Sequence, residues 1–270
     1  MGKVGEMISD SLVLHLALAF AVGSLWVILV TIVSEKKGSA FGGVLAGLPS
    51  TSALSFLFIG INQSSAAAVQ ATTLFPLVIS FTCAFLLFYA VFAKKGFVTG
   101  LSISMLIWLA VSGVVALSDL RNFTLSLVFG ILVCAATFYF FVNKLGLKSF
   151  PGNGKNYSPV AILERGIGAG FLVFLAVLLS QIGGPVLGGI ASAFPAVFTS
   201  TLIILNRSEG IEYSRSMTKP MVLSAILTCI PYSVAVRYSY PSLGTWLGTI
   251  LSYAVAAPLA VLSYLIMRTW

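Results

Sequence analysis

Apolar residues in this chain neither alternate with polar ones nor keep to one stripe of a helix. They run for about 20 residues at a time and then yield to a few Gly, Ser, Asn or basic residues. Helices that are hydrophobic all round belong in a bilayer. Nine such runs lie near 12–33, 40–61, 70–93, 97–118, 122–142, 159–181, 184–205, 216–237 and 241–267. The pattern predicts an all-α polytopic membrane protein of about nine transmembrane helices, a single membrane domain over 1–270. Only one connection is long, NKLGLKSFPGNGKNYSP at 143–159, rich in Gly, Asn and Lys. The first run is preceded by Glu6 and Asp10 and followed by Lys36 and Lys37. That charge order fits a retained helix with its N-terminus outside, rather than a signal peptide.

Composition agrees. Hydrophobic residues make up 59% and charged residues 8%, with a mean hydropathy of +1.06. A soluble domain carries roughly 25% charged residues, so a water-facing surface is excluded. The net charge of +8 reads as an orientation signal rather than a nucleic-acid footprint. Lys3, Arg121 and Arg237 fall on one side of the predicted spans. Lys36, Lys37, Lys94, Lys95, Lys144, Lys148, Lys155, Arg165, Arg207, Arg215, Lys219 and Arg268 fall on the other. The richer side is cytoplasmic by the positive-inside rule. This leaves the N-terminus outside, the C-terminus inside, and the chain multi-pass in a plasma (inner) membrane.

The two halves repeat. GGVLAGLPST (42–51) aligns with GGIASAFPAV (188–197) at an offset of 189 − 43 = 146. The same offset pairs Thr82 with Thr228 and Cys83 with Cys229. Repeat one covers 12–118 and repeat two 159–267, joined by a linker helix at 122–142 and a cytoplasmic loop at 143–158. With four spans per unit and one between, the second unit runs oppositely through the membrane. Inverted repeats recur in secondary transporters.

Each repeat carries a helix break in its second span. Proline removes a backbone donor and obstructs the carbonyl four residues back, which predicts freed carbonyls on Leu45 and Ala191. The Gly, Pro and hydroxyl residues at the breaks are the candidate substrate-binding set: Gly43, Gly47, Pro49, Ser50, Thr51 and Ser52, with Gly189, Ser192, Pro195, Thr199, Ser200 and Thr201. The same residue types also serve close helix packing.

Charged residues are scarce inside the spans. Glu164, beside Arg165, enters one; it pairs with its neighbour, snorkels to the interface, or acts as a gate or coupling site. His15, the one histidine, lies near the outer end of the first span and reads as interfacial rather than as a proton carrier. Cys83, Cys134 and Cys229 read as small core residues. With no second histidine, no carboxylate pair within the spans and no metal-ligand cluster, the sequence predicts no catalytic residue, no metal and no cofactor.

The segments GGIASAFPAVFTSTLIILNRSEGIEYSR (188–215) and TCIPYSV (228–234) resemble the GlpM family of small bacterial inner-membrane proteins. Gly189, Pro195, Glu209, Gly210, Ile211, Glu212, Ile230, Pro231 and Tyr232 fit its pattern. The first half has QSSAAAVQ and CAFLLF at the corresponding places and keeps only the Gly and Pro positions. The resemblance implies single four-span units with a loose link to exopolysaccharide production. This chain then looks like two units fused through an extra span.

These readings point to a small transporter or facilitator. It would move a small anionic or neutral polar solute at the crossing of the second and seventh spans. The alternative is a non-transporting scaffold in envelope polysaccharide synthesis. The expected partners are the lipid bilayer and the solute, without nucleic acid; a homodimer is left open.

Overall fold

A computed structural model describes residues 10–36, 48–147 and 158–268. All regular elements among them are helical. Helix α1 (Asp10–Lys36) precedes α2 (Ser50–Asn62), the short α3 (Ser65–Ala71), α4 (Phe75–Phe92), a 3-10 turn (Ala93–Lys95), α5 (Phe97–Leu117) and α6 (Phe123–Asn143). The second half contains α7 (Pro159–Gly183), α8 (Pro185–Ser192), α9 (Ala196–Glu209), the short α10 (Ile211–Ser216) and α11 (Thr218–Arg268). Seven helical stretches are long and apolar enough to cross a membrane.

Helix α11 is longer than any bilayer needs. Its 51 residues would measure about 76 Å at the usual rise. It folds back at Gly244, whose φ of 71° and ψ of −178° suit glycine alone. Beyond this turn, Ser239 and Ser252 approach to 3.3 Å through their hydroxyls, and the Tyr240 hydroxyl meets Thr249 at 2.6 Å. The Tyr232 and Tyr253 rings lie 5.2 Å apart, whereas 21 residues along one straight helix would separate them by about 30 Å. Helix α11 is therefore an antiparallel hairpin.

Helices α1 and α7 also run antiparallel. A Cβ on Gly170 would lie 2.4 Å from the Phe20 carbonyl, and one on Gly166 would lie 3.0 Å from the Ser24 carbonyl. Rising numbers on one helix meet falling numbers on the other, and the glycines let the backbones touch. Helix α4 forms the centre, burying Val78, Phe85, Leu86 and Tyr89. It packs against α5, α6 and α11. Pro76 near its start leaves room for a cap from another helix: the Leu77 N–H donates to Ser126 Oγ of α6 at 3.2 Å. Outward faces are apolar, with Leu106, Val114, Leu132 and Ile250 all exposed; hydrocarbon solvates such faces at no cost.

The element boundaries depart from the sequence reading in two places. The span expected at 70–93 begins at Phe75, because Ser64 caps a separate short helix by accepting from the Ala67 N–H. The turn expected before residue 241 falls at Gly244. Residues 40–47 of the second expected span lie outside the described residues.

Candidate functional site

The breaks at Pro49 and Pro195 have the same construction. Proline fixes φ and lacks an N–H, so a helix restarts readily just after it. Pro49 has φ −74° and ψ 53°, Pro195 φ −77° and ψ 39°. Helices α2 and α9 each begin at the next residue. Ser50 N–H donates to Leu48 O at 2.7 Å and Ala53 N–H to Pro49 O at 2.7 Å. At the other break, Ala196 N–H donates to Phe194 O at 2.9 Å and Thr199 N–H to Pro195 O at 2.8 Å. The intervening N–H groups, on Thr51, Ser52, Val197 and Phe198, have no backbone acceptor among the described residues.

Those four residues line one small, partly open cavity of about 40 Å³. Leu48, Pro49, Ser50, Ile79, Thr82, Ser192, Ala193, Phe194 and Cys229 complete its wall. No ionisable carboxylate, amine, guanidine or imidazole lines it. Its fixed charge comes from the two helix N-termini, each equivalent to roughly half a positive charge.

The carbonyls at the end of α8 are satisfied from the other half of the chain. Ser52 Oγ donates to Ser192 O at 2.9 Å. Thr82 Oγ1 donates to Ala193 O at 2.8 Å and accepts from Trp108 Nε1–H at 2.9 Å. The Trp108 and Phe194 rings meet edge to face at 5.3 Å. The freed carbonyl expected on Ala191 is not free: it accepts from Phe194 N–H at 3.1 Å. The reason is that α8 ends at Ser192, so Pro195 follows a true helix terminus instead of kinking a continuous helix. The donor-seeking carbonyls are those of Ser192 and Ala193.

Of the residues expected at the site, Pro49, Ser50, Thr51, Ser52 and Ser192 line the cavity. Pro195 is buried at the break without lining it. Gly189 serves packing: a Cβ there would fall 1.8 Å from the Ala71 carbonyl oxygen. Ser200 and Thr201 both donate to Val197 O, at 3.0 and 2.7 Å, and Thr199 Oγ1 is buried without a partner. None of these three hydroxyl residues reaches the wall. Gly43 and Gly47 lie outside the described residues. Glu164 is exposed while Arg165 is buried, so the neighbours face different surroundings, and neither lines the cavity. His15 lies across from α2, its Nδ1 3.0 Å from Asn62 Oδ1. Asn62 Nδ2–H donates in turn to Gln181 Oε1 at 3.4 Å.

Sequence reasoning missed Thr82, Ile79, Phe194 and Cys229. The matches of Thr82 with Thr228 and Cys83 with Cys229 across the halves were a signal, since lone polar positions inside apolar spans recur there at one offset.

Among the described residues, these features define an all-helical, multi-pass membrane protein in which helices α2 and α9 begin beside one small cavity with a largely apolar wall. Comparison with protein-family models, with curated proteins and with solved structures finds no match to this chain.

Proposed function

We propose that the chain is a small secondary transporter or facilitator that binds a small anionic or neutral polar solute where α2 and α9 begin. The observation that carries this reading is the pair of helix N-termini with one shared hydrogen-bond pattern, aimed at one cavity. Four peptide N–H groups and the Thr51 and Ser50 side chains stand there, while no lining residue supplies a formal charge. Two half-charges of positive sign favour an anion over a cation. The cavity of about 40 Å³ suits a solute of few heavy atoms. A scaffold would have no use for unpaired peptide donors beside a cavity, and close packing would serve it better.

Alternation needs two equivalent, oppositely directed units, and several facts support them. At 195 − 49 = 146 residues apart, the prolines share their backbone conformation. The same offset carries the start of α2 from Ser50 to Ala196 and that of α3 from Ser65 to Ile211. It also exchanges the α1–α7 contacts: the Phe20–Gly170 approach becomes the Ser24–Gly166 approach. Antiparallel partners related this way imply a two-fold axis perpendicular to both helices. If α1 and α7 cross the bilayer, that axis lies in its plane, as in an inverted repeat. Counting α11 as two crossings raises the seven long apolar stretches to eight among the described residues, and α2 is a further, shorter apolar helix.

The reading is tested on liposomes containing the purified protein, with chloride, nitrate and formate as probes and glycerol as the neutral control. Flux is followed together with binding by thermal shift. Thr51→Val removes a cavity hydroxyl with nearly constant volume and should weaken binding by about tenfold or more. Ser52→Ala removes a structural tie, so stability should fall. A wild-type protein that neither binds nor moves any probe would sink the proposal.

A further inference from the structure

Two arginines that the site does not use sit at opposite ends of α4, and the internal repeat relates their contacts. Arg215 of α10 is buried and donates through Nε to Ala90 O, in the last turn of α4, at 2.9 Å. Its NH1 group also holds both Glu212 carboxylate oxygens at 2.7 Å. Arg237 of α11 donates through NH1 to Val69 O and Thr72 Oγ1, both at 3.3 Å, just before α4 begins. Its guanidinium lies over the Phe123 ring at 4.3 Å.

At the repeat offset, Arg215 corresponds to Val69 (215 − 146 = 69), and Ala90 to the residue before Arg237 (90 + 146 = 236). The α10–α4 contact and the α3–α11 contact are thus equivalent interfaces, occurring twice between the repeats. In both, a guanidinium of the second half grips a peptide carbonyl of the first. Helix α4 has 18 residues, about 27 Å in length. Its Ile79 and Thr82, which line the cavity, lie between the two grips.

We infer that Arg215 and Arg237 are paired latches, closing the cavity towards the cytoplasm and towards the outside respectively. The inference rests on the transporter reading. A guanidinium on a carbonyl is a charge-assisted bond, and releasing it frees one repeat from the other at that end only. The outer latch has the longer bonds and no carboxylate partner among the described residues, so it opens more readily than the inner one.

Cys229 lines the cavity and is the natural reporter. In the full chain with Cys83→Ala and Cys134→Ala, its reaction with an anionic, membrane-impermeant methanethiosulfonate is timed from each face, in intact cells and in inverted vesicles. Arg237→Gln should speed labelling from outside by about tenfold or more, and Arg215→Gln from the cytoplasmic face; bonds to charged groups have that strength. The gentler Glu212→Gln and Thr72→Val should act in the same directions, which covers a variant that fails to fold. Acceleration from both faces, from the wrong face, or from neither in folded protein overturns the latches. Chloride flux of the wild type is measured alongside. Flux with side-independent labelling counts against the latches alone, and side-specific labelling without flux counts against the transporter reading alone.

Discussion

Thr82→Val isolates the polar tie that holds the end of α8. Valine nearly matches threonine in shape, so packing is kept and two hydrogen bonds disappear: the donation to Ala193 O at 2.8 Å and the acceptance from Trp108 Nε1–H at 2.9 Å. Both abandoned groups are buried, Trp108 at 4% exposure. Hydrogen bonds between membrane helices average about 0.6 kcal/mol, with a maximum near 1.7. Two of them give a loss of about 1–3 kcal/mol. The assay is reversible unfolding in mixed micelles of dodecyl maltoside and SDS. A double-mutant cycle with Trp108→Phe apportions the loss, because the phenyl ring retains an edge for Phe194 but has no N–H. In the Trp108→Phe background the cost of Thr82→Val should drop to that of one bond. A cost below about 0.5 kcal/mol in the wild-type background, less than one average bond, would refute the claim that Thr82 secures the break.

Four further outcomes are expected. Gly189→Ala would push a methyl to 1.8 Å from the Ala71 carbonyl oxygen; two backbones must part, at a cost of about 1–3 kcal/mol or more. Gly168→Ala, where a Cβ meets nothing within 4 Å, should leave the melting temperature nearly unchanged. Gly244→Ala forces a side chain into a conformation reserved for glycine (φ 71°, ψ −178°) and should cost about 1–3 kcal/mol, read by the same micellar unfolding. A single cysteine placed in the 143–158 loop should resist an impermeant thiol reagent outside intact cells, and labelling there would overturn the orientation.

Length and apolarity made the long helices legible, and Gly–Pro clustering located both breaks. What lay hidden depended on the neighbours of a residue rather than on the residue itself. Gly189 looks like a binding glycine in sequence, yet its role is set by the Ala71 carbonyl, which no local pattern reveals. Thr82 resembles any threonine bonded to its own helix, and it does lie 3.4 Å from Val78 O; only the fold brings Ala193 and Trp108 to it. The hydroxyls of Ser200 and Thr201 were misleading for the opposite reason. Their own helix supplies an acceptor in Val197 O, and a local partner needs no solute. The separate helix α3 escaped notice because SSAAAVQA is too weakly apolar to stand out, although Ser64 caps it.

The shared break has a consequence for how this molecule can vary. The unpaired donors of the cavity-lining residues Thr51, Ser52, Val197 and Phe198, which have no backbone acceptor among the described residues, are peptide groups, which every residue other than proline possesses. Substitution cannot remove them one at a time, except by introducing proline, nor change their polarity. On the transporter reading, preference among solutes would drift through the contour of the wall, at positions such as Ile79, Phe194 and Cys229, and through its side-chain hydroxyls on Ser50 and Thr51. On that reading, a line of descendants could exchange one small anion for another by trimming or filling that contour, while the positive helix ends stay fixed in the backbone.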